Sequence, residues 1–127
     1  MTYFDSERKF TTWVLKEARA RGWVAAHFGS SQKIIRTRDR GPISIPDKDA
    51  AGFPDLVLVR ERVLYAELKM NERRSSLTPK QREWLDALTA AGQYVFIWRP
   101  LDTDEILSVL DGASETATRL FLPGASA

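Results

Sequence analysis

The sequence predicts an α/β protein, on three observations. Its 127 residues, 43% of them hydrophobic, suffice for one domain with a real core and are too few for two. Helix-like and strand-like segments alternate along the chain. Two adjacent strand-like runs, residues 55–60 and 63–70, are apolar enough to lie inside a sheet.

The elements follow in order. Residues 5–21 carry Phe10, Val14 and Ala18 at helical spacing, Trp13 and Leu15 broaden the stripe, and Gly22 supplies the stop. A short apolar strand spans 23–28. From Gly29 to Phe53 no periodicity is sustained, and Gly41-Pro42, Pro46 and Gly52 punctuate the stretch, so it reads as a long loop with at most a short strand at 33–36. The runs at 55–60 and 63–70 are separated by little more than Glu61-Arg62, which makes an antiparallel hairpin the simplest connection. Thr78 is a good N-cap, Pro79 fits the first helical position, and Gln81 completes a capping-box spacing for a helix that ends at Gly92. Residues 94–99 form a buried strand closed by Pro100, and Asp102 or Thr103 caps a last helix that Gly112 ends. The domain is thus 1–112, with 113–127 as a tail in which Leu120, Phe121 and Leu122 could dock.

Composition removes whole classes of chemistry. Cysteine is absent and His27 is the sole histidine, which excludes disulfide frameworks, zinc fingers, cysteine nucleophiles and two-histidine metal sites. No apolar run nears the roughly 20 residues of a membrane span. The opening residues are charged early and lack the apolar stretch of a secretory signal, so the expected location is the cytoplasm. Net charge is only +2, yet Arg36, Arg38 and Arg40 recur in one stretch and Arg73, Arg74, Lys80 and Arg82 in another. A polyanion is a plausible partner, and a set of solvated surface arginines is the equal alternative.

The hairpin carries the chemistry. Side-chain alternation puts Glu67 and Lys69 on one face with Val63 and Tyr65, and Leu64, Ala66, Leu68 and Met70 on the other. A carboxylate and an ammonium on a core strand are costly unless each finds a partner or a metal. Asp55 begins the partner strand where the other strand ends. An odd-numbered turn sets Asp55 opposite Glu67 or Lys69, whereas a two-residue turn sets it opposite Leu68, facing away; an odd turn, or a bulge near Asp55, is expected. Two converging carboxylates do not both stay ionised without a cation, and magnesium suits hard oxygen ligands plus a phosphate. Lys69 would orient the attacking water and stabilise charge on the phosphate. The competing reading is an Asp–Glu–Lys ion-pair cluster that only holds the hairpin, a poor stability device.

Gly52-Phe53-Pro54-Asp55-Leu56-Val57-Leu58 followed by Ala66-Glu67-Leu68-Lys69 resembles the PD-(D/E)xK nuclease superfamily. The Thr78-Pro79-Lys80-Gln81 helix start and the Trp98-Arg99-Pro100 strand end resemble its VRR-NUC branch, above all the short stand-alone members, over about residues 7–110. The resemblance implies a restriction-endonuclease-like mixed β-sheet flanked by helices and divalent-metal cleavage of DNA, with Mg²⁺ as cofactor and Mn²⁺ as substitute. It implies Asp55, Glu67 and Leu68 as the metal-binding residues, with Lys69 as the catalytic lysine. Gln81 matches the family's active-site glutamine, beside its role in the capping box. Glu7 best fits the glutamate that relatives carry on the first helix, a solvated helical glutamate being the alternative. His27 falls where relatives often have a histidine, as a phosphate contact or as a packed strand-end residue. Tyr65, Trp84 and Trp98 read as packing.

Arg36, Arg38, Arg40, Arg73 and Arg74 are the candidate DNA-backbone contacts. Stand-alone relatives look like Holliday junction resolvases and tend to be homodimers, which implies structure-selective endonuclease activity on branched DNA; a nicking or end-processing nuclease in DNA repair or phage replication is the next reading. A nucleic-acid-binding module or accessory subunit that kept the fold and lost the chemistry is the alternative from another class. Such a module gains nothing evident from a like-charged carboxylate pair.

Overall fold

The computed structural model describes residues 4–28, 32–39, 41–46, 48–71 and 76–112. Three helices and a four-stranded mixed sheet make an α/β fold, with a separate two-stranded sheet. Helix α1 (Glu7–Ala20) leads into β1 (Val24–His27); then come β2 (Gln32–Thr37), β3 (Gly41–Pro46), β4 (Leu56–Val59), β5 (Val63–Leu68), α2 (Pro79–Ala90), β6 (Tyr94–Trp98) and α3 (Thr103–Leu110). Spatial order in the main sheet is β1-β4-β5-β6; β5 and β6 are parallel, and the other neighbours antiparallel.

Alternation along β6 assigns the helices to faces. Phe96 and Trp98 join Leu56, Leu58, Leu64, Ala66 and Leu68 against Phe10, Val14 and Ala18 of α1 and Ile106, Val109 and Leu110 of α3. Val95 points the other way, to Leu85 of α2, with Leu77, Leu88 and Ile97 around it. The main core therefore lies between the sheet and α1/α3, and α2 covers the opposite face. That second face is incompletely covered towards β1, where the cross-strand neighbours Val24 and Val59 are exposed.

Within the long stretch read mostly as loop, the short strand expected at 33–36 is present as β2, and the reading is corrected by its partner β3. Residues 32–37 and 41–46 pair as an antiparallel ribbon, Gln32 with Pro46 through to Thr37 with Gly41. Glycine and proline hid it: Gly41, Pro42 and Pro46 all sit in β3, which breaks the apolar alternation that marks a strand, yet a strand unpaired on its outer side tolerates proline. The last helix differs in a smaller way. Asp102 precedes it, but its carboxylate accepts from Arg99 N at 2.8 Å and so closes the short 3₁₀ turn Pro100–Asp102 rather than capping α3. The 113–127 tail lies outside the described residues.

The end of the sheet opposite the Asp55 region is locked by polar contacts to carbonyls. Trp23, 2% exposed, donates its indole N–H to Leu110 O at 2.9 Å. The Arg60 guanidinium stacks 4.6 Å over the Trp23 ring and donates to Arg21 O and Leu110 O. Arg21 pairs with Glu17 and Asp111, each at 2.6 Å. Along the free edge of β1, Arg19 donates to Ala25 O at 3.3 Å and so occupies one outward carbonyl. No described helix is long and apolar enough to cross a membrane.

Trp23→Phe is expected to lower stability by about 1–2 kcal/mol through the lost buried hydrogen bond and ring area, measured by urea unfolding. It lies at the far end of the sheet, so the structure around Asp55 should be unchanged in the folded fraction.

Candidate active site

The turn between β4 and β5 decides the site. Val59 pairs with Val63, leaving Arg60, Glu61 and Arg62 between them, and Arg60 N donates to Arg62 O at 3.0 Å. The turn is odd, as expected. Leu56 pairs with Ala66, so one step further Asp55 falls opposite Glu67 on the same face. Asp55 continues the pairing on its other side, accepting from Phe28 N at 2.7 Å through its carbonyl. The Asp55 carboxylate accepts from Leu68 N at 2.9 Å, so Leu68 takes part through its backbone.

Glu67 is 2% exposed and points to the face that α2 covers. Gln81, in the first turn of α2, donates Nε2 to Glu67 Oε2 at 3.0 Å. Its Oε1 accepts from Lys69 Nζ and from Thr78 N, both at 2.9 Å. Thr78 Oγ1 in turn accepts from Gln81 N at 3.2 Å, completing the capping box. Two donors on Oε1 and an acceptor at Nε2 admit one amide orientation. The capping box is therefore present, and the same amide also contacts Lys69 and Glu67. Lys69 Nζ stands 3.9 Å from Glu67 Oε2, an ion pair without a hydrogen bond.

α2 is seated for this by the turn that precedes Asp55. Gly52 has φ +83°, and a Cβ there would lie 2.4 Å from Lys80 C and 2.6 Å from Gln81 N. Trp84 donates its indole N–H to Ala51 O at 3.1 Å, and its ring meets Phe53 edge-on at 5.0 Å. Trp84 is thus half-buried and clamps a turn, where the sequence suggested core; Trp98 is core, at 1% exposed. Tyr65 packs edge-on against Phe53 at 6.3 Å, as expected of a packing residue.

On the other side of Asp55 a cleft of about 390 Å³ is lined by Glu7, Arg8, Thr11, Thr12, Leu15 and His27. Glu7 and His27 are therefore brought beside Asp55, both exposed, and the Glu7 charge reaches Glu67. Arg8 and Thr11 were not legible as site residues. Helical periodicity picks out the apolar stripe of α1, to which the exposed Arg8 and the buried but polar Thr11 do not belong. Of the candidate DNA contacts, Arg38 is exposed in the turn between β2 and β3, and Arg36 lies in β2 opposite Pro42. Arg40, Arg73 and Arg74 lie outside the described residues.

Burial pushes both carboxyls up. Glu67 rises to about 8, chiefly from loss of hydration and then from the Asp55 charge. Asp55 is also raised by burial, against the opposing hydrogen bond from Leu68 N. The pair holds a proton more tightly than separate acids would. Glu67 Oε1 is buried with no hydrogen-bond partner, facing the second carboxyl. A hard divalent cation fits this donor set: two carboxylates, one of them with a buried oxygen that accepts no hydrogen bond, and a lysine held just beyond. Among the described residues no group of three or more acidic or histidine side chains forms a metal cage, so a cation here would rely on two carboxylates, water and substrate oxygens.

The chain matches no family model, no curated protein sequence and no solved structure.

The raised Glu67 sets a pH dependence. The folded chain binds the proton more tightly than the unfolded one, so without metal its contribution to stability is full below the ordinary value of 4.5 and is lost as pH rises through about 8. Thermal midpoints without metal should fall over that window, Glu67→Gln should flatten most of the slope, and Mn²⁺ should restore stability at the alkaline end, where the ligands are free. A midpoint that rises with pH in the metal-free protein would contradict the buried pair. Gly52→Ala should cost about 1–3 kcal/mol in urea unfolding, because it collides with backbone that cannot swing aside.

Proposed function

We propose that the chain is a divalent-metal-dependent deoxyribonuclease of the PD-(D/E)xK superfamily, a VRR-NUC-like enzyme with a restriction-endonuclease-like fold. The observation that carries the reading is the convergence of Asp55, Glu67, Lys69 and Gln81 at the carboxyl ends of β5 and β6, with Glu67 Oε1 unpartnered. Open α/β sheets bind ligands beyond such strand ends. Mg²⁺ is the proposed cofactor, with Mn²⁺ able to substitute, held by Asp55, Glu67 and the Leu68 backbone.

When bound, the cation supplies Lewis-acid polarisation of the phosphate and lowers the pKa of a coordinated water. The chain's own residues do the rest. Lys69 has three N–H donors, of which Gln81 takes one. The others can hold the attacking water in line and meet the charge that builds on a non-bridging oxygen as the phosphodiester bond breaks. Gln81 keeps Lys69 from collapsing onto Glu67: its amide sits between the ammonium and the carboxylate, at 2.9 and 3.0 Å. Glu7, in the cleft beside Asp55, adds negative charge near the cation, while Arg8 and His27 are placed to receive the phosphates of the strand being cut.

Branched DNA such as a four-way junction is the proposed substrate, cut by a homodimer in the cytoplasm, in repair or phage replication. These details rest on the sequence resemblance. The arginines at 36, 38, 40, 73 and 74 are assigned to sugar-phosphate contacts, which position DNA without reading its sequence.

Cleavage of labelled junction, flap and linear duplex with Mg²⁺ or Mn²⁺ tests the reading. Lys69→Ala and Asp55→Ala should each lose at least about 10²-fold in rate while keeping DNA affinity, and Gln81→Ala should lose less. Absence of cutting by the wild type on every substrate, with binding retained, would favour a module that has lost its chemistry. Affinity should also fall steeply with salt.

A further inference from the structure

The β2–β3 ribbon is not used by the chemistry above. Among the described residues neither of its strands pairs with the main sheet. It is nevertheless rooted at the site: β2 starts at Gln32, shortly after Phe28, whose N–H is bonded to Asp55 O, and the chain returns from β3 through the turn that seats α2. Its six paired positions span about 20 Å at the usual rise per residue, with strands about 4.8 Å apart. Thr37 Oγ1 donates to Gly41 O at 2.7 Å and tightens the tip, where Arg38 and Asp39 are exposed.

Charge singles this segment out. Residues 32–46 hold Lys33, Arg36, Arg38 and Arg40 against Asp39 alone, a larger net positive charge than the +2 of the entire chain. The rest of the protein is therefore net acidic, and attraction to a polyanion falls on the ribbon. A second copy of the chain is a poor occupant, because symmetric pairing of two such ribbons would face arginine with arginine. Duplex DNA is a good one: its major groove, about 12 Å wide, admits a two-stranded ribbon.

We infer that the β2–β3 ribbon enters the major groove of the duplex arm flanking the phosphate at Asp55, and so selects sites bordered by duplex. The inference rests on the nuclease reading for the position of the cut and on the ribbon alone for the groove.

Two assays separate these. Hydrolysis of bis(p-nitrophenyl) phosphate by the wild type with Mn²⁺ tests the chemistry without any groove; its absence would count against the nuclease reading and leave the ribbon to the binding assay. Binding is measured in Ca²⁺ on plain duplex, on duplex with bulky 5-substituted pyrimidines that fill the major groove, and on duplex blocked by the minor-groove ligand netropsin. The wild type should lose about 10-fold or more in affinity on the major-groove-filled duplex and little with netropsin. An Arg36→Ala/Arg38→Ala variant with an unchanged thermal midpoint should bind plain duplex about 10-fold or more weakly and discriminate less between the two duplexes. Equal wild-type affinity for plain and major-groove-filled duplex, or undiminished binding by the double variant, would overturn the inference. So would a change in the number of subunits in solution when residues 33–45 are replaced by a short Gly-Ser link, since the ribbon would then be a subunit contact.

Discussion

A three-residue turn governs everything else in this molecule. With Arg60, Glu61 and Arg62 between Val59 and Val63, strand alternation sets Asp55 and Glu67 opposite each other on one face. One residue fewer would turn Asp55 towards the core and leave Glu67 buried alone. The consequence of the odd turn is a pair of carboxyls that burial and mutual repulsion force to share a proton. Such a pair is a poor stabiliser of a sheet and a good receptor for a hard cation.

Around that pair the fold supplies two helix beginnings from opposite faces of the sheet. The first turn of α1 brings Glu7 and Arg8 to the cleft at Asp55, and the first turn of α2 brings Gln81 to Glu67 and Lys69. Helix N-termini carry partial positive charge, so both ends offset the acidic pair to a modest degree. The opposite end of the sheet is held by Trp23, Arg60 and Arg21 against backbone carbonyls and acids, away from the chemistry. The rigid lock and the charged site thus occupy separate ends of one small sheet.

Much of this is legible in the sequence, for physical reasons. The alternation in Val63–Leu68 states which side chains share a face, and Thr78, Pro79 and Gln81 state where α2 begins. The ribbon is not legible. Its prolines and glycine erase the alternation, and hydrogen bonding between two short strands leaves no compositional trace. The Gly52 clamp is hidden for another reason: a loop glycine reads as a chain breaker, and only coordinates reveal that the α2 backbone rests against its Cα. Arg8 and Thr11 were missed because a helix is read from its apolar stripe, to which neither belongs: Arg8 is exposed, and Thr11 is buried but polar.

Gln81 closes the capping box of α2 and links Lys69 to Glu67 with a single amide group. The start of this helix therefore cannot be altered independently of the contact between Lys69 and Glu67. A replacement at this one position loosens the helix cap and that link together.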